Sequence, residues 1–264
     1  MHSAICLSTT PKSGVCWIST FGMQMKWSIT RSEAGSTKLY FYFFVTIGMQ
    51  FGAISKRHYL DVGLIGFLII FYTVGTTGIL LPRSREWFLD LSFLNLLLSF
   101  GVILVARRSK HLFFLGFLLL CFSVGMCAEW IGTKTGLLFW DYAYGENLGP
   151  KLWGVPWVIG LNWGILVVTA ASLVAKLRLS ALLSAVLGAA LMTLMDFFME
   201  PVAITSDYWS WHTAKIPIYN YVCWFGVSLP LHYLYYRFEL IESNKVFDFL
   251  FCILILFFLV LNIV

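Results

Sequence analysis

The sequence predicts an all-α protein, a polytopic transmembrane helix bundle with seven or eight spans. Of its 264 residues, 59% are hydrophobic and 12% are charged, whereas a soluble domain is about 25% charged. The mean hydropathy is +0.82. Apolar runs long enough to cross the hydrocarbon layer of a membrane recur along the chain. Lipid is therefore the expected solvent for most of the side chains.

Residues 1–38 differ from the rest of the chain. They are rich in Ser and Thr and contain no long apolar run, so they lack the hydrophobic core of a secretory signal. We expect a disordered tail, or an extension upstream of a start at Met23 or Met25. Residues 39–264 then form a single transmembrane helical domain.

The predicted spans are apolar runs separated by basic residues. Backbone groups in lipid must be hydrogen-bonded within the protein, so each run is predicted to be a helix. We expect Pro201 to end the sixth helix, because proline interrupts helical hydrogen bonding. The runs cover approximately residues 39–54, 60–81, 87–105, 111–131, 153–175, 179–199, 217–236 and 246–264.

Two connections, 132–152 and 200–216, are longer than the others. Counting crossings from the first run places both on the side where that run starts, which we call side A. The opposite side carries more Lys and Arg when the residues before Lys38 are left out, and is therefore the expected cytoplasmic side. These features indicate a multi-pass protein of a cell membrane, with the bacterial cytoplasmic membrane as its expected location.

The sixth run carries small residues at every fourth position, a spacing that lets helices pack closely. They are Ser180, Ser184 and Gly188, with Ala181, Ala185 and Ala189 beside them. The six cysteines form no C-x-x-C pair, so neither a disulfide framework nor a zinc site is expected. The net charge of +5 is modest and indicates no nucleic-acid partner.

Three acidic residues lie near the ends of predicted spans. Glu129 is near the end of the fourth run, and Asp196 and Glu200 are near the end of the sixth. The D-x-x-x-E spacing puts Asp196 and Glu200 on one helical face. Both runs end on side A, so the three acids are expected at one membrane level. Acids in membrane helices are functional candidates, although each one alone could equally be a structural hydrogen-bond partner.

The fifth and seventh runs start from side A with polar and aromatic residues. Asn162 and Trp163 open the fifth run, and Asn220 and Trp224 open the seventh. Polar groups from four predicted helices are therefore expected to converge at one depth beneath the two long connections. As a group, they favour a functional site.

Five segments between residues 128 and 225 carry distinctive motifs. They read A-E-W-I-G-T-K-T-G-L-L-F-W-D-Y-A-Y (128–144), L-G-P-K-L-W-G-V-P-W-V-I-G-L-N-W (148–163), L-M-D-F-F-M-E-P-V-A (194–203), D-Y-W-S-W (207–211) and I-P-I-Y-N-Y-V-C-W-F (216–225). Together they resemble the carotenoid biosynthesis membrane protein family, whose members include carotenoid hydratases such as bisanhydrobacterioruberin hydratase. The resemblance extends over about 60–240 and leaves out residues 1–38 and the last helix.

The resemblance implies addition of water across a terminal C=C bond of an acyclic carotenoid end, giving a tertiary alcohol. Such a reaction needs an acid to protonate the alkene, a base to take a proton from water, and aromatic faces beside the cation. Asp196 and Glu200 are the expected acid and base, in either order, and Glu129 is the third carboxyl group. The expected substrate-binding residues are Asn162, Trp163, Asn220, Trp224, Trp209, Trp211, Tyr142 and Asp141.

The resemblance implies no metal or other cofactor, and the expected partner is a carotenoid within the bilayer. Two other functions stay open. A membrane prenyltransferase acting on a carotenoid end would hold Mg²⁺ and diphosphate, but usually needs two aspartate-rich motifs, and this chain shows one D-x-x-x-E. A non-catalytic carotenoid-binding or transport protein often has internal repeats, which the sequence does not show.

Overall fold

The computed structural model describes residues 3–263 except 11–12, 21–22, 32–36, 41–42, 109–111, 214 and 241–242, and it describes side chains from Lys56 onward. The chain divides into two compact units, residues 1–60 and 61–264. The second unit contains all the sequence-predicted site residues.

The first unit contains a four-stranded antiparallel sheet in sequential order. Its strands are β1 (Ser3–Thr10), β2 (Ser13–Thr20), β3 (Met23–Arg31) and β4 (Thr37–Tyr40). An all-α protein was predicted, without a sheet, and the expectation of a disordered tail or an upstream extension stays a prediction. The strands contain β-branched and aromatic residues, which favour strands, among them Ile5, Val15, Trp17, Trp27 and Ile29. That residues 1–38 lie outside the helical domain or precede the natural start stays a prediction.

The rest of the described chain is mainly helical. Its helices are α1 (Phe43–Leu80), α2 (Arg85–Asp90), α3 (Ser92–Ala106), α4 (Leu112–Thr135), α5 (Val158–Ala175), α6 (Ala181–Thr205), α7 (Ile218–Arg237) and α8 (Lys245–Ile263). Within the described residues, five helices are long and apolar enough to cross a membrane: α1 from Lys56 onward, α4, α5, α6 and α8. The structure thus supports the predicted membrane helix bundle, and the count of seven or eight spans stays a prediction.

Several predicted helix boundaries differ from the structure, and α5 begins at Val158 instead of residue 153. The first two runs form one helix, α1, because no Gly or Pro separates them around Lys56 and Arg57. The third run is divided at Leu91 into α2 and α3. The expectation that Pro201 ends the sixth helix is wrong, since α6 continues to Thr205. Proline removes one backbone hydrogen bond, and the burial of Val202 just beyond it keeps the helix continuous.

The small residues of α6 form a packing surface against α7. Ser184, Ala185, Gly188 and Ala189 are buried. A Cβ atom added to Gly188 would lie 2.6 Å from Nδ1 of His232 on α7. The predicted packing seam is therefore present, and it brings α6 and α7 close together.

The two long connections meet in a short antiparallel ladder. Strand β5 (Tyr142–Tyr144) pairs with the strand Trp209–Trp211, which we call β8, so that Tyr142 lies opposite Trp211 and Tyr144 opposite Trp209. Between them, β6 (Lys151–Leu152) and β7 (Val155–Pro156) form a second small hairpin. The β5–β8 ladder ties the segment after α4 to the segment after α6.

Candidate active site

Asp196 and Glu200 lie one turn apart on α6 and share one partner on α7. The Asn220 side-chain nitrogen donates to Asp196 Oδ2 at 2.7 Å and to Glu200 Oε1 at 2.9 Å. All three side chains are buried. The two hydrogens of one amide nitrogen thus hold two carboxyl groups side by side, as the D-x-x-x-E spacing predicted for the acids.

Glu129 on α4 is surrounded by neutral hydrogen-bond donors. Its Oε1 accepts from Trp163 Nε1 at 3.0 Å, and its Oε2 accepts from the hydroxyl groups of Tyr142 and, at 2.8 Å, Tyr144. Burial raises the pKa of both tyrosines well above the ordinary value, and the adjacent Glu129 carboxyl raises it further. Both hydroxyl groups therefore stay protonated donors across the physiological pH range.

Glu200 accepts two further hydrogen bonds from the β5–β8 ladder. Trp209 Nε1 donates to Glu200 Oε2 at 3.1 Å and Trp211 Nε1 donates to the same atom at 2.8 Å. Side chains two residues apart on a strand point to the same face. The motif Y-A-Y thus presents two donors to Glu129, and the motif W-S-W presents two donors to Glu200.

Aromatic rings pack beside the three carboxyl groups. The indole rings of Trp163 and Trp224 are stacked, and Phe139 lies 6.3 Å from the first and 6.1 Å from the second, measured between ring centroids. Trp163 is fully buried. Gly125 on α4 leaves space for it, because a Cβ atom there would collide with the indole.

A small cavity of about 20 Å³ opens between the carboxyl groups, and we call it the carboxyl cavity. One water molecule needs about 10–15 Å³ of such volume, so the space matches a single water. Glu129 and Glu200 both border it, together with Asn162, Asn220 and Trp224. Asp196 is not among its lining residues and contacts the site through Asn220.

A second cavity of about 150 Å³, which we call the apolar cavity, adjoins the first. It lies between α1, α3, α5, α6 and α8, and most of its wall is hydrocarbon or aromatic. Four residues line both cavities: Ile159, Asn162, Met199 and Trp209. Glu129 and Glu200 therefore border a small cavity that lies next to a larger apolar one.

The structure brings together all but one of the sequence-predicted site residues. Asp141 is the exception, because its side chain is 67% exposed and bonds to His212 at 2.9 Å. It directly precedes β5, whose Tyr142 and Tyr144 point toward Glu129.

Two residues that were not predicted as site residues contact the predicted ones. Tyr144 bonds to Glu129, and Phe139 packs against Tyr142, Trp163 and Trp224. The motif Y-A-Y places both tyrosines on one face once it forms a strand, but three residues are too few to predict that strand. No local pattern distinguishes Phe139, whose backbone adopts a positive φ of 62° at the turn before β5.

The charge balance of the site is unusual for buried acids. Within the described part of the chain, none of the three carboxyl groups takes part in an ion pair, and the ion pairs of Lys and Arg involve Asp61, Glu146 and Asp248. The described residues contain no group of three His, Cys, Asp or Glu arranged to hold a metal ion. Among the described residues, Tyr, Trp and Asn side chains thus donate to every oxygen of the three carboxyl groups except Asp196 Oδ1, in place of cations.

No curated protein and no solved structure matches the chain. A family model described as "Carotenoid biosynthesis protein" matches residues 91–264. This range includes α8, so the sequence-based expectation that the last helix lies outside the resemblance is wrong. It also contains the three carboxyl groups, both long connections and most of the lining of both cavities. The chain therefore belongs to the carotenoid biosynthesis protein family.

Proposed function

We propose that this protein is an integral-membrane carotenoid hydratase, which adds water across a terminal C=C bond of an acyclic carotenoid end. The product is a tertiary alcohol. The observation that carries the proposal is a set of three buried carboxyl groups, held by neutral donors, beside an apolar cavity that shares four lining residues with the carboxyl cavity. Membership of the carotenoid biosynthesis family supplies the substrate class.

Asp196 and Glu200 are the proposed acid and base pair. Both carboxyl groups are hydrogen-bonded to the side-chain nitrogen of Asn220, in surroundings of low dielectric constant. Two negative charges there would repel each other strongly, so the favoured state is one in which the pair holds one proton between them. One carboxyl group of the site then gives its proton to the less substituted =CH– carbon of the double bond. The π electrons form the new C–H bond, and the positive charge stays on the tertiary carbon.

Water completes the reaction. The oxygen of a water molecule in the carboxyl cavity forms a bond to the tertiary carbon, and a carboxylate takes the released proton. Glu129 and Glu200 border that cavity, so each lies where it can orient the water. The Trp224 indole in the same wall can stabilise the cation through its π face without bonding to it. The net change is addition of one water, with no external oxidant or reductant.

Two features favour hydration over the alternatives. A prenyltransferase must neutralise a diphosphate, and no described Lys or Arg is paired with the three carboxyl groups. A protein that only binds or transports an apolar polyene gains nothing from three buried acids, whose desolvation is costly. In hydration, by contrast, the carboxyl groups donate and accept the protons of the reaction.

Expression in a host that makes lycopene or γ-carotene tests the proposal. We expect the extracted pigment to gain the mass of one water per reacted end, and in D₂O to gain one carbon-bound deuterium at that end. Activity in isolated membranes should persist after chelation of divalent cations. Gain of a prenyl unit with Mg²⁺ dependence would favour the transferase, and bound but unchanged pigment would favour a binding protein.

Membranes that contain the Asp196→Asn variant at matched protein level provide the control. Loss of water addition in this variant would assign the reaction to this site, and water addition at the same rate by membranes of the host without the protein would show that the host altered the pigment.

A further inference from the structure

A lipid-facing groove of about 520 Å³ runs between α1 and α8, and we call it the lipid groove. Its walls include Ile69 and Leu80 from α1, with Phe249, Ile253 and Leu256 from α8. In the apolar 18-residue stretch of α1, 22% is buried, whereas in the corresponding stretch of the central helix α5 78% is buried. Helix α1 is thus the least enclosed of the five candidate spans.

Two aromatic residues separate the lipid groove from the apolar cavity. Tyr72 on α1 and Phe257 on α8 line both spaces, and their rings meet edge to face with centroids 5.6 Å apart. The Tyr72 hydroxyl is held at 3.0 Å from Asn95 Oδ1 and 2.8 Å from Ser99 Oγ on α3. The position of Tyr72 is therefore fixed from the α3 side.

The apolar cavity continues from this aromatic pair to the acids. At its other end, Ile159, Asn162, Met199 and Trp209 also line the carboxyl cavity. The lipid groove, the apolar cavity and the carboxyl cavity therefore form one series, from the surface of α1 and α8 to Glu129 and Glu200.

We propose, on the basis of the proposed function, that this series is the binding site of the substrate's polyene chain. The carotenoid enters sideways from the bilayer between α1 and α8, with one end leading past Tyr72 and Phe257. The leading end fills the apolar cavity and brings its terminal double bond to the carboxyl cavity. The rest of the polyene lies in the lipid groove and the bilayer.

The dimensions of the apolar cavity fit such an occupant. A cavity of roughly 150 Å³ lined by Leu, Ile and Phe side chains accepts benzene, which is close in size to one isoprenoid unit. The wall of the apolar cavity also favours a polyene over a lipid acyl chain. Rings of Phe71, Phe88 and Phe258 line the cavity, and aromatic faces pack well against a flat conjugated chain.

Gly75 of α1 offers a direct test, because it lines the apolar cavity and a Cβ atom added there would meet nothing within 4 Å. Gly75→Phe therefore adds a ring at the wall of the cavity, and its Cβ atom meets no neighbouring atom within 4 Å. Gly63→Phe is the matched control, since Gly63 is on the same helix, has equally open space around its Cβ and lines none of the three spaces.

The measurement is the amount of carotenoid that remains bound per folded protein after purification from a lycopene-producing host. We expect Gly63→Phe to retain the wild-type amount, Gly75→Leu to retain less, and Gly75→Phe to fall to the background of an unrelated membrane protein. Monodisperse elution and wild-type thermal unfolding of each variant exclude misfolding as the cause.

Equal pigment retention by Gly75→Phe and Gly63→Phe would overturn the proposed binding site. Displacement of a phospholipid, instead of carotenoid, by Gly75→Phe would assign the cavity to a structural lipid and also overturn it. The wild-type protein could also bind lycopene without adding water, while Gly75→Phe loses the pigment. That result would support the binding site and reject the hydratase function.

Discussion

The indole rings of Trp163 and Trp224 lie parallel, with centroids 4.6 Å apart and planes inclined by 6°. Trp163 is oriented by its hydrogen bond to Glu129, and Trp224 borders the carboxyl cavity. A carboxyl group of α4 thus sets the position of an aromatic wall on α7 through an indole of α5.

Replacement of Trp224 tests that wall. We expect Trp224→Leu to lower the hydration rate by up to about thirtyfold, since a desolvated cation–π contact contributes about 2 kcal/mol. Trp224→Phe keeps a π face and should retain more of the rate. The assay is product formed per unit of folded membrane protein, and equal rates for the Leu and Phe variants would exclude cation stabilisation by this ring.

Asp196→Asn separates an acid–base role from a structural one. Asp196 Oδ1 is buried and has no hydrogen-bond partner among the described residues, so an amide can keep the Asn220 bond through its oxygen. We expect a stable protein whose hydration rate falls about 10²–10⁴-fold. Wild-type turnover in the folded variant would make Asp196 structural and leave Glu129 and Glu200 as the candidate acids.

Glu200→Gln should reduce both activity and stability. Both oxygens of Glu200 accept hydrogen bonds from N–H groups, so an amide nitrogen at either position would face a donor. An unsatisfied buried polar group costs about 1–3 kcal/mol, in addition to the lost acid. Thermal unfolding and product per folded protein, measured beside Asp196→Asn, distinguish the two effects. Unchanged unfolding would contradict the hydrogen-bond pattern described for Glu200.

The two ladder tyrosines predict a loss of stability at alkaline pH. Burial raises their pKa above the ordinary value of about 10, so the unfolded chain loses these protons first. Their contribution to stability is therefore fully present below about pH 10 and decreases above it. A Tyr142→Phe and Tyr144→Phe double variant should show a smaller drop in unfolding temperature from pH 8 to about pH 11 than the wild type. Equal drops would contradict this.

The α6–α7 packing seam predicts opposite effects of two glycine substitutions. Gly188→Ala places a methyl group against the His232 ring and should destabilise the protein by about 1–3 kcal/mol. Gly226→Ala on α7 meets nothing within 4 Å, so it should be neutral or stabilise by up to about 1 kcal/mol through helix propensity. Equal thermal stability of the two variants would argue against close packing at Gly188.

A substrate that enters end first predicts separate reactions at its two ends. The carboxyl cavity lies at the far end of the apolar cavity from the lipid groove, so one end reacts per binding event. With lycopene, the singly hydrated pigment should accumulate in the membrane before any doubly hydrated product. A time course by mass spectrometry measures this, and simultaneous formation of the doubly hydrated pigment from the start would contradict it.

The convergence of the acids could be predicted because it depends on two simple rules. Helical periodicity places Asp196 and Glu200 on one face, and the parity of membrane crossings places Glu129 at the same level. The fusion of the first two runs into α1 leaves the predicted parity of the later runs unchanged, because their order after the end of α1 is the same.

The donors to the acids could not be predicted in the same way. Three-residue strands are too short to show a two-residue period above chance, so Tyr144 was missed in a segment interpreted as a loop. The hydrogen bonds from Asn220 to Asp196 and Glu200 depend on the position of α7 along the axis of α6. That position is set by packing at contacts such as Gly188 with His232, which no local pattern encodes.

Because β8 pairs with β5, the number of residues in the connection between α6 and β8 matters as much as their identity. Trp209 and Trp211 reach Glu200 because both lie on one face of a strand in register with Tyr144 and Tyr142. Insertion of a single residue between Thr205 and Trp209 would turn alternate side chains to the opposite face. Both indole donors would then be withdrawn from Glu200 although every site residue is still present. Single-residue insertions and deletions in this three-residue connection should therefore be tolerated far less than substitutions at Ser206 or Asp207.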